Sequence, residues 1–164
     1  MMLRRTSLVL VALLCARGGV MGQEMGARDV SSAIVAALDY RLSEIPEGSL
    51  VLATDRIVIP DGMVRPAHAD LAEIARARGI ALGSYDDVVE HKDKGSWSKN
   101  IVLGAELLSV EDGLLRTVVS SDRWVGDTPH FLSRRSTAVE LLLEREGSGW
   151  RVVKELFRSY GIGG

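Results

Sequence analysis

Residues 135–160 begin at Arg135 and run on as STAVELLLERE, GSG, WRVVKELFRSY. Two runs rich in Val, Leu and aromatics flank Gly147, Ser148 and Gly149, and glycines accept the positive φ angles that close a β-hairpin. In the first run Val139, Leu141 and Leu143 alternate with Glu140, Leu142 and Glu144, so one face is apolar and the other is half charged. An apolar sheet face needs a cover, which the rest of the chain must supply.

Working back from the hairpin, everything from Asn100 reads as strand. Ile101, Leu103 and Ala105 alternate, and Leu107–Val110 leads into Glu111-Asp112-Gly113, a turn of the Asp-Gly kind. Leu114–Val125 is long for one strand, and its paired serines, Ser120 and Ser121, predict a bulge or bend. Residues 126–135 form a loop holding Asp127, Thr128 and Pro129, and the hairpin completes a four-stranded antiparallel meander. Upstream, Val30, Ile34, Leu38, Leu42 and Ile45 recur at helical spacing, with Ser31 as the N-cap and Pro46 and Gly48 as the stop. Asp39, Arg41 and Glu44 are assigned to this helix's solvated face. Two brief apolar runs, Leu50–Ala53 and Ile57–Ile59, fit one bent strand or a small hairpin. Pro66 opens a second helix, carrying Leu71 and Ile74 and ending at Gly79. Ser84 and Asp87 open a short third one, with Val88 and Val89 facing inward, before a polar loop over 91–100 that contains Trp97.

The expected fold class is therefore α+β: N-terminal helices over about 29–92 packed on a curved four-stranded antiparallel meander over about 100–160, with room for one or two extra short strands. Residues 23–164 form one domain. Residues 1–22 read as a signal peptide, with Arg4 and Arg5, an apolar run from Ser7 to Cys15, and small residues after it. The run is too short for a permanent membrane span. Lipidation of Cys15, as in a bacterial lipoprotein, is the alternative, and the bulky Leu14 before it counts against that. The expected location is exported, periplasmic or secreted. If the leader is removed, no cysteine remains to act as a nucleophile, ligand or bridge.

Without Arg4, Arg5 and Arg17 the chain holds 17 basic and 22 acidic residues, a formal charge of −5. That repels phosphate backbones and argues against nucleic acid as a partner.

The stretch ELLLEREGSGWRVVKELF resembles the last two strands of cystatin-like cone proteins of the nuclear transport factor two superfamily, which close with a charged strand, a glycine turn and Gly-Trp-Arg-Val-Val. The resemblance implies a sheet curled around a helix, with a pocket between them, in a superfamily of enzymes, binding domains and secretion-linked modules.

The motifs carry little chemistry. His68 and Asp70 lie two apart on a helix and point in different directions, so capping or solvation explains them. Asp87 and His91 lie four apart, but only Asp86 or Glu90 offers a third metal ligand. Asp127 and His130 could act as a base and its partner, yet no Gly-x-Ser-x-Gly elbow surrounds Ser120, Ser121 or Ser133. No glycine spacing suits a phosphate cradle. Arg123, Arg134, Arg135, Arg151, Lys154 and Arg158 form a basic cluster able to meet an anionic ligand or acidic partner. Glu140, Glu144 and Glu155 are interleaved to pair with it. Trp124 and Trp150 fall on strands and line either a core or a pocket.

No residue is assigned to catalysis, a cofactor or a metal. The expected function is non-catalytic binding of a small apolar ligand or an envelope protein partner. Alternatives are a small cone-fold enzyme with a polar group such as His130 or Asp127 in an apolar pocket, and a structural or assembly module of a larger envelope complex.

Overall fold

The computed structural model describes residues 24–45, 49–90, 100–125 and 133–163. The elements are α1 (Ala27–Leu42), β1 (Ser49–Val58), α2 (His68–Ala77), β2 (Ala81–Gly83), α3 (Tyr85–Glu90), β3 (Asn100–Glu111), β4 (Leu114–Val125), β5 (Ser133–Glu146) and β6 (Gly149–Gly163). They build one six-stranded sheet in the order β2-β1-β3-β4-β5-β6. The expected signal peptide, the expected stop at Pro46 and Gly48, and the expected loops over 91–99 and 126–132 lie outside the described residues.

The meander from β3 to β6 forms as its alternation predicts. Asp112 (φ 52°) and Gly113 (φ 78°) make a mirror-image turn between β3 and β4, and Gly147 (φ 61°) closes the β5–β6 hairpin. The α+β class holds, but the sheet is mixed and six-stranded, not a four-stranded antiparallel meander, because β1 runs parallel to both β2 and β3. The two apolar runs near Leu50 and Ile57 are a single strand whose register against β3 slips between Leu52 and Ile57. Arg65 braces that irregularity by donating to the carbonyls of Thr54 (2.7 Å) and Ile57 (2.8 Å), groups that the slipped ladder leaves to other donors. No bulge occurs at Ser120 and Ser121. Strand β4 pairs with β5 without interruption from Leu114 to Val125, and the slip lies in β3, between Leu107 and Ser109. The serines need no bulge because their side chains fall on opposite faces of an ordinary strand.

Helix α1 begins four residues before Ser31. Gly26 is its N-cap position, with no side-chain hydrogen bond, and Asp29 sits in the first turn, where a carboxylate complements the helix dipole. Met25 fixes the entry: its carbonyl accepts from Val64 N–H at 2.8 Å, and its side chain is buried. At α2, Asp70 accepts from Ala67 N–H at 3.1 Å, the capping role expected of it. Ser84 Oγ caps α3 by accepting from Asp87 N–H at 3.0 Å.

Residues that pair across strands share a face, so the pairing assembles rows on the side covered by α1. Leu107, Thr117, Leu141 and Glu155 form one row, and Ala105, Val119, Val139 and Arg158 the next. Val30, Ala33, Ile34, Ala37 and Leu38 of α1 pack on these rows, and Leu115, Val119, Val139, Leu141 and Leu143 are wholly buried beneath them. Trp150 belongs to this core, with the Arg145 guanidinium 4.8 Å from its ring centroid. No helix among the described residues is long and apolar enough to cross a membrane.

Candidate functional site

Beyond the end of α1 the same rows change character. The next row is Leu103, Ser121, Thr137 and Tyr160, and the one after it is Ile101, Arg123, Arg135 and Ile162. Their alternation continues that of the core, so polar side chains stand where apolar ones stood.

The last turn of α1 meets this polar end. Arg41 follows Ala37 by four and Leu38 by three, which puts it on the apolar stripe, not on the solvated face expected for it, and it is only 8% exposed. Its Nη2 donates to Ser121 Oγ at 2.8 Å and its Nη1 to Glu44 Oε2 at 3.0 Å, while the buried Nε has no partner among the described residues. Glu44 also accepts from Arg158 Nη2 at 2.6 Å, and Arg158 in turn holds Glu155 at 2.6 Å. Tyr40 Oη donates to Glu155 at 2.7 Å. Asp39, assigned like Arg41 to the solvated face, stays exposed but is held by Arg78.

These contacts fix protonation states. The Arg158 guanidinium, with the Tyr40 hydroxyl, holds the Glu155 carboxyl down at about 2. Arg158, then Arg41, lowers Glu44 against the opposing pull of burial. The two carboxylates raise Arg158, and Glu155 raises Tyr40.

Arg41, Glu44, Ile45, Ile101, Ser121, Arg123, Arg135 and Thr137 enclose a pocket of about 150 Å³. Three guanidiniums face one carboxylate there, a formal +2, and adding Arg158 with Glu155 leaves that balance unchanged. Arg123 and Arg135 are directly opposed across β4 and β5. Like charges in that position cost roughly 0.2–1 kcal/mol, and neither has an ion pair among the described residues. The two hydroxyls and the guanidiniums suit an anion's oxygens.

The pairing thus divides the basic cluster seen in the sequence. Arg123, Arg135 and Arg158 share the helix-covered face. Arg134, Arg151 and Lys154 lie on the opposite one, where Arg134 bonds the Tyr85 hydroxyl and Arg151 pairs with Glu144. His68 and Asp70 are exposed on α2, while His91, Asp127, His130, Trp97 and Cys15 lie outside the described residues, as does the side chain of Trp124. No group of three potential metal ligands occurs among the described residues.

A larger groove of about 550 Å³ runs between α1 and α2. It sets Arg28 and Arg78 against Asp70 and Glu73, and Arg78 is already held by both Asp39 oxygens at 2.6 and 2.9 Å. Its charges cancel, so of these two the smaller pocket is the one that carries a net charge.

No family model matches the chain, and no curated protein or solved structure matches it.

Proposed function

We propose that this is a non-catalytic, exported binding domain whose ligand presents an anionic group to the arginine-rich end of the helix-covered sheet face. The observation that carries the reading is the opposed pair Arg123 and Arg135, unpaired among the described residues, beside the buried Arg41. A fold that retains a locally unfavourable charge pair is compensated where an anion binds. The lining favours a ligand with a charged head over a wholly apolar one. Binding is preferred to catalysis because the arginines supply charge and hydrogen bonds, while Glu44, the lining's one carboxylate, is ion-paired to Arg41 and Arg158, and Ser121 Oγ is held by Arg41.

A second reading is supported by the outer face of β6, where Phe157 is 62% exposed, near the exposed Val153. That surface suits assembly with a protein partner. It is the weaker reading, because β6 departs from regular pairing twice, between Glu140 and Leu141 and between Leu142 and Leu143 of its partner strand. Irregular edges discourage strand addition.

The test is Arg135→Gln, melted with and without millimolar acetate or inorganic phosphate. Removing one of two opposed charges should leave the ligand-free melting temperature equal or slightly higher, and should abolish the rise that either anion produces in the parent by mass action. A parent protein that no anion stabilises, or a variant stabilised as much as the parent, would falsify the reading. The mass of the exported protein tests the leader separately: loss of about the first 22 residues is expected, and a lipid-modified Cys15 would revise it.

A further inference from the structure

The pocket is small. At the roughly 30 Å³ that a water occupies in the liquid, 150 Å³ is about five waters, room for a carboxylate or phosphate group and little more. Anything larger attached to that head must leave the pocket across the neighbouring surface. On the β6 side that surface is Tyr160, paired with Thr137, and Ile162, paired with Arg135. Both lie on the helix-covered side of the sheet, yet they are 75% and 82% exposed. They stand one strand spacing, about 4.8 Å, from the polar pair, and about 7 Å from each other along β6. An aromatic and an aliphatic side chain left bare beside a positive pair that has no ion-pair partner among the described residues make a two-part surface: charge for a head, an apolar ledge for a tail.

We infer that the ligand is a free amphiphilic monocarboxylate, its head held by Arg41, Arg123 and Arg135 and its short apolar tail lying over Tyr160 and Ile162. This rests on the anion-binding reading above and adds the class of molecule. The head supplies the negative charge that the opposed guanidiniums lack, and a planar carboxylate can accept paired N–H bonds from a guanidinium fork. The tail removes from water two side chains that the fold itself leaves uncovered. A monoanion suits the formal +2 of the lining without overturning it. The tail is short because only two side chains form the ledge among the described residues.

Titration calorimetry on the full mature chain tests this with acetate and inorganic phosphate as head-only probes, butanoate through decanoate as the series, and octan-1-ol as a tail-only probe. Affinity should rise roughly two- to fourfold per added methylene and level off once the tail spans the ledge, and octan-1-ol alone should not bind measurably. Tyr160→Ser with Ile162→Ser should flatten the chain-length dependence while leaving acetate and phosphate binding unchanged. Both sites are exposed, and a matching melting temperature confirms that the double variant folds. Arg123→Gln should weaken every anion at least tenfold. If acetate and phosphate bind but affinity is independent of chain length, or the double variant keeps the dependence, the ledge is wrong and the anion site stands. If no anion binds, both fall. Anionic phosphatidylglycerol vesicles that bind the protein while soluble carboxylates do not would also overturn the proposal, since they would place the head in a membrane.

Discussion

Arg41 is held where an aliphatic residue would be expected, and its burial is tolerable only because Ser121 and Glu44 take two of its donors. Arg41→Ala therefore leaves the Ser121 hydroxyl buried without its donor and a void under the last turn of α1. A loss of about 2 kcal/mol is expected by urea denaturation, and Arg41→Met, which keeps the stem, should lose less. Glu155 makes a pH prediction. Its folded carboxyl titrates near 2, whereas an unfolded glutamate titrates near 4.3. Between those values the unfolded chain binds the proton first, so the contribution is complete above about 4.3 and disappears as pH falls through about 2. The gap in melting temperature between the parent and Glu155→Gln should be full at pH 7 and closed by about pH 2; a gap that persists at pH 2 would count against the network. The site was half legible at this scale. Leu115, Thr117, Val119, Ser121 and Arg123 alternate in one phase, as do Arg135, Thr137, Val139, Leu141 and Leu143, so the phase alone puts the arginines on the apolar face. That Arg123 meets Arg135, and that Arg41 reaches Ser121 eighty positions away, depends on register and helix placement, which no local pattern encodes.

At the scale of elements, the hairpins and helices were readable because turn glycines and apolar periodicity are local. Strand β2 was not. Ala81–Gly83 is too short to show a period, and its parallel pairing with β1 spans some thirty residues. For the same reason the runs around Leu50 and Ile57 could not be told from a hairpin, since the slip that joins them is defined only against β3. That slip explains one glycine. A Cβ on Gly104 of β3 would lie 2.8 Å from Arg56 Cβ, 2.9 Å from the Arg56 carbonyl oxygen and 2.9 Å from Ser120 Oγ. Two of these belong to the backbone or sit next to it and cannot swing aside. Arg56 is also fixed by the Tyr85 ring, 3.9 Å below its guanidinium. Gly104→Ala is expected to destabilise the protein by about 1–3 kcal/mol, whereas Gly26→Ala, with nothing within 4 Å, should cost only its weaker N-cap, under about 1 kcal/mol. Equal denaturation midpoints for the two variants would show that the packing of β1 against β3 at the slip is looser than described.

For the whole molecule the decisive relation is between one helix and one sheet face. Val30, Ile34 and Leu38 are wholly buried, and at roughly 1.5–3 kcal/mol for each large aliphatic side chain they account for about 5–9 kcal/mol before the sheet's own burial is considered. Domains of ordinary stability have only about 5–15 kcal/mol in all. Polar contacts then set where the helix lies: Asp29 with Arg145 at 2.7 Å at its start, Tyr40 with Glu155 further along, and Arg41 with Ser121 at its end. The first two are exposed or half-buried and contribute position more than stability, whereas the buried Arg41–Ser121 bond contributes both. A chain beginning at Ser49 should accordingly keep its strand-forming sequences but lose the cooperative thermal transition, and should bind the dye ANS through the uncovered Val139, Leu141 and Leu143 row. A sharp melt and no dye binding from that shortened chain would mean the sheet is stable without its cover. The arginine-rich end would then owe its shape to the strands alone, with Arg41 dispensable to it.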